Sequence, residues 1–308
     1  MLNIEELEQK YKIKILMISE YGSKLYKTDT PNSDTDYKGI FIPINSKDII
    51  LHKYPQTIEL NTSKEKNTKD DIDFTLYSLE HYFKNLNECQ TWALELLFSN
   101  SLIHNTREWN TLKSLDLVTY NMKATLAYVK SQYYKYANKS KRYEDIMNIL
   151  NLGYSNSTLL KEIPEISKYS FRIFKNLKVY TIANLEFTET IKFGQLKKTL
   201  NHHLDKLSHR SIEAAQNNGI DWKAVHHAIR ILTQTKLLLQ NGSFSYPLPN
   251  NDYLMKIKFG KINFEECSQE FEKLYNEIQS INVEQKEIDF DSLLYILLQK
   301  FNISNLIN

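Results

Sequence analysis

Two aspartates, Asp34 and Asp36, follow a Gly-Ser pair at Gly22 and Ser23, and this spacing suits phosphate chemistry. Residues two apart on a strand project from the same face, so both carboxylates can act on one ion. Carboxylate pairs bind cations such as Mg²⁺, which completes its coordination with water and substrate phosphates. Gly22 has no Cβ to obstruct a phosphate, and Ser23, at the start of a short helix, offers a hydroxyl and backbone N–H groups. The spacing predicts a site for a metal-bound phosphate.

A third carboxylate is expected at Asp73, at the head of a predicted strand. Metal-dependent phosphoryl transfer needs a further carboxylate that brings the attacking hydroxyl to the metal and lowers its pKa. Asp70 and Asp71 precede it in a polar stretch and are weaker candidates. We therefore expect Asp34, Asp36 and Asp73 to be the catalytic and metal-binding residues. An isolated Asp-x-Asp pair is also typical of a solvated turn, so the prediction depends on the whole combination.

The N-terminal third of the chain must supply the strands that position these residues. An amphipathic pattern predicts a helix, and apolar runs of strand length predict four strands. The helix covers Ile4–Tyr11, and the strands cover Ile13–Ile18, Tyr37–Ile42, Thr57–Leu60 and Phe74–Tyr77. The polar stretch 61–71 is expected to be a loop. Ser78 is a candidate N-cap for a helix that begins at Leu79.

After about Thr106 the apolar spacing becomes helical. Helices are predicted at Asn121–Tyr143, Asp205–Asn217, Trp222–Leu239, Glu265–Ile281 and Phe290–Phe301. Gly219 and Gly242 are plausible helix stops. The fold class expected is α+β: a small mixed sheet flanked by helices in residues 1–105, followed by a mainly α-helical body in residues 106–308.

The composition restricts the class of protein further. The chain has 308 residues, of which 12% are aromatic and 42% hydrophobic, which is typical of a folded globular protein. Its longest apolar runs are too short for a membrane span, and its first residues do not form a signal peptide. The two cysteines, Cys89 and Cys267, exclude a disulfide framework and a cysteine zinc site. We expect a reduced, cytoplasmic protein with no membrane partner.

The formal net charge of +2 is unevenly distributed. Residues 122–143 contain six basic side chains and no acidic one, whereas residues 262–291 contain nine acidic side chains and two lysines. Tyrosines interleave with the basic run, and aromatic faces beside cations can bind single-stranded nucleic acid. The same tyrosines also fit a helical packing stripe. The basic region therefore indicates either an anion-binding face or an ordinary solvated helix.

A second basic pattern lies on the predicted helix that begins at Trp222. Lys223, His227 and Arg230 stand at i, i+4 and i+7, so they share one stripe of a helix. Such a stripe can neutralise triphosphate charge or bind a polynucleotide backbone. The alternative is a surface stripe with one histidine at the edge of the core.

At three places the sequence resembles one family. The first segment resembles the signature of the DNA polymerase β-like nucleotidyltransferases, in particular their predicted RNA-repair-pathway branch in bacteria and phages. It is GSKLYKTDTPNSDTDYKGIF (22–41). DFTLYSLEHYFKNLNECQTWALELLFS (73–99) is similar to the family's third-carboxylate strand, the following helix and a Leu-Glu-Leu-Leu element. WKAVHHAIRILTQTKLLLQNGSFSYPLPNNDYLMKIKFGKINFEE (222–266) is similar to its C-terminal helical region.

The resemblance implies a role for each candidate residue. Asp34 and Asp36 would be metal ligands, and Asp73 the third, base-like carboxylate, with Mg²⁺ or Mn²⁺ as cofactor and a nucleoside triphosphate as substrate. Lys27 stands where the family usually has a glycine after Tyr26, and this lysine would either touch the triphosphate or crowd the nucleotide. The nucleotide-binding candidates are Gly22, Ser23, Lys27, Ser33, Lys223, His227 and Arg230.

The expected reaction moves a nucleoside monophosphate from the triphosphate to an acceptor hydroxyl. The acceptor that we expect is an RNA or tRNA 3′ end. Two alternatives stay open: nucleotidylation of a protein or small-molecule hydroxyl, and an RNA-binding module with a relict active site. No GxxxxGK[ST] loop, GxGxxG or GxSxG motif is present, so the sequence gives no support to other nucleotide chemistry or to serine hydrolysis.

Overall fold

A five-stranded mixed sheet forms the centre of the N-terminal region. Its strands are β1 (Ile13–Tyr21), β2 (Thr35–Pro43), β3 (Thr57–Asn61), β4 (Ile72–Ser78) and β5 (Leu102–Asn105). They lie in the order β3-β4-β2-β1-β5; β2 and β4 are parallel, and the other neighbours are antiparallel. The computed structural model describes residues 3–31, 33–45, 48, 51, 53–61, 72–136, 140–207, 209–282, 286 and 288–300.

Thirteen α-helices of the described residues precede, separate or follow these strands along the chain. They are α1 (Ile4–Tyr11), α2 (Gly22–Tyr26), α3 (Leu79–Asn87), α4 (Thr91–Leu97), α5 (Arg107–Lys113), α6 (Met122–Ser131), α7 (Lys141–Leu150), α8 (Phe193–Leu204), α9 (His209–Gln216), α10 (Trp222–Asn241), α11 (Asn251–Lys258), α12 (Phe264–Ser280) and α13 (Phe290–Lys300). Among the described residues, no helix is long and apolar enough to cross a membrane.

Contacts divide the chain into two compact units. The first contains the described residues of 3–129, 229–255 and 268–300, and the second those of 130–228 and 256–267. The predicted boundary after residue 105 differs from this division. The reason is that α5 and the second half of α10 carry apolar side chains that are buried within the first unit, so chain segments distant in sequence share its core.

One face of the five-stranded sheet forms an apolar core under α1. Alternate residues of β1, β2, β3 and β4 are buried there and pack against Ile4, Leu7 and Tyr11 of the helix. This core consists of Ile13, Ile15, Ile18, Phe41, Ile58, Phe74 and Leu76. Because strand residues alternate in direction, Asp36 and Asp73 project from the opposite face. The sheet thus separates the α1 core from the predicted catalytic residues.

The second unit contains a three-stranded antiparallel sheet in addition to helices. Its strands β6 (Phe171–Phe174), β7 (Leu177–Ile182) and β8 (Leu185–Thr188) pair in sequence order. Side chains from β7 and β8 join those of α7 and α8 in one core. Among the most buried members of this core are Ile146, Ile149, Ile182, Phe193, Leu196 and Leu200.

The structure confirms the predicted α+β class and the four predicted strands of the sheet, with longer bounds. It also confirms Ser78 as the N-cap of α3, since its Oγ accepts the N–H of His81 at 3.1 Å. The predicted loop at 61–71, with Asp70 and Asp71, lies almost entirely outside the described residues.

Two predicted helices differ in their bounds, and four strands were not predicted. The helix expected at Asn121–Tyr143 ends at Ser131 and continues as the π-helix Gln132–Tyr136, and α9 is shorter than the helix expected at Asp205–Asn217. The strand β5 and the sheet β6–β8 were missed. Their strands are only four to six residues long, and every β6 side chain is exposed, so β6 shows no alternation of buried and exposed positions for a pattern to detect.

Candidate active site

The pairing of β2 with β4 brings two of the predicted catalytic carboxylates together. Asp36 is the parallel-strand partner of Asp73, and on its other side Asp36 pairs with Tyr21 at the end of β1. Paired residues of neighbouring strands project from the same face of a sheet. Asp34 directly precedes β2, which begins at Thr35. The three carboxylates therefore gather at one end of the central strands.

Gly22 lies directly against the carboxylate of Asp36. A Cβ built on Gly22 would overlap Oδ2 of Asp36 and lie 3.1 Å from its Cγ, and the residue has a φ of +60°. Both the space and the conformation therefore require glycine. Gly22 begins α2, and the N-cap residue Tyr21 makes no side-chain cap hydrogen bond. The Gly22–Ser23 turn thus places uncapped backbone donors next to the carboxylates.

The electrostatics of Asp36 reflect this crowding. Partial burial, together with the charges of Asp34 and Asp73, raises the pKa of the Asp36 carboxyl to about 6. Lys38 and Lys24 act in the opposite direction. Lys24, on α2, also donates to Oγ1 of Thr35 at 2.6 Å. Asp36 therefore lies within electrostatic reach of two further carboxylates and two lysines.

Lys38 is a residue of this face that the sequence reading missed. Its ammonium group lies 3.9 Å from the centre of the Tyr21 ring and 5.6 Å from the ring centres of Tyr77 and Trp92. Burial lowers the pKa of Lys38 to about 8, although the charges of Glu95 and Asp36 oppose the shift. Lys38 was detectable as a charged residue two positions after Asp36 on the same strand.

A buried polar network supports the Gly22–Ser23 turn from within the fold. We call it the Glu95 network; it consists of Tyr21, Tyr26, Glu95, Arg230, Gln234 and Tyr246. The Glu95 carboxylate accepts hydrogen bonds from the hydroxyls of Tyr21 and Tyr26 and pairs with the guanidinium of Arg230. The two tyrosines flank the turn, one directly before Gly22 and one at the end of α2. The network therefore fixes both ends of the predicted phosphate-binding segment.

The charge state of the Glu95 network is set by mutual neutralisation. Burial alone raises the pKa of Glu95, but Arg230 and the tyrosine hydroxyls outweigh it and hold the pKa below its usual value. The guanidinium of Arg230 also lies 3.7 Å from the centre of the Tyr26 ring. Both charged side chains are nearly inaccessible, at 0% and 3% exposure. A lone glutamate inside the apolar run Trp92–Phe98 was the signal in the sequence for such a buried pair.

The remaining turn candidates have clear structural positions. Lys27 is the C-cap residue of α2 and has a φ of 57°. Glycine adopts this left-handed conformation without strain, which explains why it is favoured at the end of a helix. Its ammonium lies 4.0 Å from Oε2 of Glu20. Ser33 shapes the preceding loop, because its Oγ accepts the N–H of Thr30 at 2.9 Å. Nucleotide contacts by Lys27 and Ser33 stay predictions.

The predicted basic stripe of α10 is divided between the two units. Lys223 and His227 belong to the second unit, where Lys223 lies 3.8 Å from Glu213 and His227 is half-buried. Arg230 belongs to the first unit, and its guanidinium is committed to Glu95. The structure thus gives Arg230 a supporting position behind the turn, and does not bring the three residues into one described group.

The donors near Gly22 are suited to a hard divalent cation. The side chains of Asp34, Asp36 and Asp73 offer only oxygen atoms, and the missing Cβ of Gly22 lets the Asp36 carboxylate lie directly against the turn. In the described part of the chain, no three histidine, cysteine or carboxylate side chains stand close enough together to hold one metal ion. Mg²⁺ commonly keeps one or two protein carboxylates and takes its other ligands from phosphate and water, so the donor set fits such an ion bound together with a nucleotide.

Comparison with known proteins defines the class of this domain. Residues 1–151, just under half of the chain, match the RNA repair pathway DNA polymerase beta family, RlaP. The family match supports a nucleotidyltransferase of the DNA polymerase β type. The resemblance predicted from the sequence is thereby confirmed.

Two further comparisons cover most of the chain. The chain is 29% identical over 306 residues to the uncharacterized 38.9 kDa protein in the nrdC-mobD intergenic region of Enterobacteria phage T4, covering 88% of this chain and 90% of the relative. It also matches the crystal structure of a nucleotidyltransferase-like protein from Exiguobacterium sibiricum 255-15 at 10% identity, over 98% of this chain and 70% of that chain. The TM-score of that match is 0.25, which does not establish a common fold.

Proposed function

We propose that this nucleotidyltransferase moves a nucleoside monophosphate from a nucleoside triphosphate to the 3′ hydroxyl of an RNA, with Mg²⁺ or Mn²⁺ as cofactor. The observation that carries the proposal is the contact of Gly22 with Asp36, whose strand partner is Asp73. The turn to which we assign phosphate binding thus lies against one of two paired, strand-borne carboxylates. A triphosphate with its metal needs both kinds of group within a few ångströms.

The chain's own residues would act as follows. The backbone N–H groups at Gly22–Ser23 and the Ser23 hydroxyl bind phosphate oxygens. Asp34 and Asp36 hold the metal, and Asp73 accepts the proton of the acceptor hydroxyl as its oxygen bonds to the α-phosphorus. The bond between the α-phosphorus and the bridging oxygen breaks, and pyrophosphate leaves. A bound divalent cation would neutralise phosphate charge and lower the pKa of the attacking hydroxyl.

The lysines of the site have a role in this proposal. Lys24 lies on α2 and Lys38 on the same strand face as Asp36, and both act electrostatically on that carboxylate. Cations in these positions can bind the phosphates that the turn presents, because charge-assisted hydrogen bonds to phosphate are strong. Lys27, whose side chain is about half-exposed, can reach solvent-facing phosphate oxygens. We assign these three lysines to triphosphate binding.

RNA is the acceptor favoured by two observations. The matched family is described by an RNA repair pathway. In addition, the chain concentrates six basic side chains without an acidic one in residues 122–143, and phosphate backbones bind such regions electrostatically. The cytoplasm, where RNA and nucleoside triphosphates are abundant, is the compartment that this proposal implies.

Label transfer tests the proposal directly. The purified protein would be incubated with each α-labelled nucleoside triphosphate, Mg²⁺ or Mn²⁺, and total host RNA, in parallel with Asp36→Asn. The matched control is Asp291→Asn, which removes an exposed carboxylate in the first turn of α13. We expect label in RNA from the wild type and the control but not from Asp36→Asn.

Other outcomes distinguish the alternatives. Label in a protein band, again lost in Asp36→Asn, would replace the RNA acceptor with a protein hydroxyl. RNA binding without transfer by either protein would favour a relict active site. Transfer to RNA that persists in Asp36→Asn would refute the assignment of this carboxylate.

A further inference from the structure

Four cationic side chains of the second unit form one group across two helices. We call it the α7–α8 cluster; it consists of Arg142 in the first turn of α7 and of His202, His203 and Lys206 at or just after the end of α8. Nη2 of Arg142 donates to Nδ1 of His203 at 3.4 Å, which joins the two helices. The rings of His202 and His203 lie edge to face, with their centres 5.9 Å apart. The backbone N–H of Lys206 donates to the carbonyl of His203 at 3.3 Å, so Lys206 continues the last turn.

The contact between Arg142 and His203 fixes the proton of the histidine. A guanidinium can only donate, so Nδ1 of His203 accepts, and the neutral ring carries its proton on Nε2. Partial burial, together with the charges of Arg142, His202 and Lys206, lowers the pKa of His203, which agrees with the neutral form. Within the described residues, Nε2 of His203 makes no hydrogen bond, so its N–H is available to a ligand.

Arg142 has fewer acceptors than its guanidinium needs. Of its five N–H donors, only one makes a hydrogen bond to a described residue, and the buried Nε atom has no acceptor. Buried donors are normally paired. Helix electrostatics does not explain the position either, because a cation is unfavourable in the first turn of a helix, whereas His202, His203 and Lys206 suit the C-terminal end of α8. Arg142 therefore indicates a missing acceptor.

The nearest carboxylates along the chain do not neutralise the cluster. They are Glu144, Asp145 and Asp205. Asp145 acts electrostatically on Tyr169, and Asp205 is exposed after the end of α8. Among the described residues, no carboxylate forms an ion pair with the cluster, and every charge that acts on His203 is positive. An oxyanion would supply the counter-charge.

A phosphate group matches this set of donors. The planar guanidinium of an arginine can bind two phosphate oxygens at once, and hydrogen bonds of this kind are strong because both partners are charged. The N–H of His203 adds a further donor, and His202 and Lys206, whose side chains are exposed, add positive charge. The acceptor of the proposed reaction carries such a group at every nucleotide.

We propose that the α7–α8 cluster binds a backbone phosphate of the acceptor RNA. This inference rests on the proposed function for the identity of its ligand, and deepens it by giving the RNA a binding site in the second unit. The catalytic carboxylates belong to the first unit, so the two sites can be tested separately. Arg142 and His203 donate to the phosphate oxygens, and the contact between them holds the imidazole in its donating form.

RNA binding by the full chain tests the proposal without any chemistry. Fluorescence anisotropy would follow a 5′-labelled unstructured RNA of about 12 nucleotides, which spans a typical single-strand site. No nucleoside triphosphate or divalent metal would be present. Arg142→Gln should weaken binding about tenfold, because it removes charge-assisted hydrogen bonds to phosphate. Arg142→Lys should restore part of the affinity, since an ammonium keeps the charge but not the planar pair of donors.

Two further variants keep the test sharp. The double variant His202→Gln/Lys206→Gln changes only exposed side chains, so it stays informative if Arg142→Gln does not fold; it should weaken binding about threefold. Lys261→Gln is the matched control, because it removes an exposed cation from the same unit. Arg142→Gln should also lower the slope of log affinity against log salt by about 0.7, the value for one phosphate contact with a single strand. The control should leave the affinity and the slope unchanged.

Several results would overturn the proposal. Unchanged RNA affinity and salt slope in Arg142→Gln and in the double variant would do so, as would an equal loss in Lys261→Gln, which would indicate an effect of net charge alone. Calorimetry with inorganic phosphate tests the other source of the same group. Phosphate binding that Arg142→Gln abolishes, with RNA affinity unchanged, would assign the cluster to a free phosphate and refute the RNA site.

The outcome for this site is separable from that for the proposed function. If the wild type transfers no label but the cluster variants weaken RNA binding as expected, the binding site is supported and the transfer reaction is refuted. If the wild type transfers label to RNA and the cluster variants bind RNA normally, the reaction is supported and the α7–α8 cluster is not part of the RNA site.

Discussion

Breaking the buried ion pair of Glu95 and Arg230 is expected to lower markedly the denaturant concentration at which the first unit unfolds. Glu95→Gln removes the negative charge while keeping the size of the side chain, and leaves the guanidinium of Arg230 uncompensated at 3% exposure. Arg230→Met removes the positive charge and leaves the buried Glu95 carboxylate uncompensated. Both changes also act on Tyr26, which contacts both charged groups.

The expected magnitude follows from burial. Removing one partner of a buried ion pair typically costs about 3–5 kcal/mol, because the other charge stays buried without compensation. The Glu95 carboxylate also accepts a hydrogen bond from Gln234 at 3.3 Å, in addition to those of Arg230, Tyr21 and Tyr26. We therefore expect each single variant to lose about 3–5 kcal/mol. The neutral double variant Glu95→Gln/Arg230→Met should lose far less than the sum.

Urea unfolding followed by tryptophan fluorescence measures this loss. Trp92 and Trp109 belong to the first unit and Trp222 to the second, so a Trp222→Phe background reports on the first unit alone. The matched control is Glu277→Gln, which breaks the partly exposed pair with Lys236 and should move the midpoint far less.

The reasoning would be refuted by small or additive effects. A cost below about 1 kcal/mol for Glu95→Gln would mean that the pair is not the buried, desolvated contact described here. Additivity of the two single changes within about 0.5 kcal/mol would mean that the charges do not interact.

Three further changes test the turn and the carboxylates. Gly22→Ala should abolish nucleoside triphosphate binding in calorimetry, because its φ is +60° and the new Cβ would overlap Asp36. The control Gly153→Ala, with no atom within 4 Å of the new Cβ, should bind normally. Normal binding by Gly22→Ala would contradict the assignment of the Gly22–Ser23 turn to phosphate binding. Lys27→Gly should raise the free energy of unfolding by about 1 kcal/mol by relieving the left-handed cap, while a loss of triphosphate affinity in the same variant would indicate that the lysine contacts phosphate. The affinity for Mn²⁺ should fall as the pH drops through about 6, because the pKa of Asp36 is raised to about 6 and a protonated carboxyl does not bind the ion. Titrations followed by electron paramagnetic resonance measure this affinity, and a constant value from pH 5 to 8 would exclude Asp36 as a ligand.

The strands that position the carboxylates were predictable because their signal is local. The runs at Ile13–Ile18 and Phe74–Tyr77 are short, apolar and bounded by polar residues, and the structure has strands at both. Ser78 acts as an N-cap through a hydrogen bond to a residue three positions later, which is again a local interaction. By contrast, β6 is exposed along its whole length, so burial imposed no pattern on its side chains.

The sequence by itself determined the chemistry that is available: the Gly-Ser pair, the spaced aspartates and a family signature that the comparison of residues 1–151 bears out. Only the tertiary structure decided which of these groups meet. The register of β2 with β4 pairs Asp36 with Asp73, and the return of α10 to the first unit places Arg230 against Glu95, 135 positions away in the chain. Strand register and long-range pairing depend on how distant segments pack together, and no local pattern of residue types encodes them.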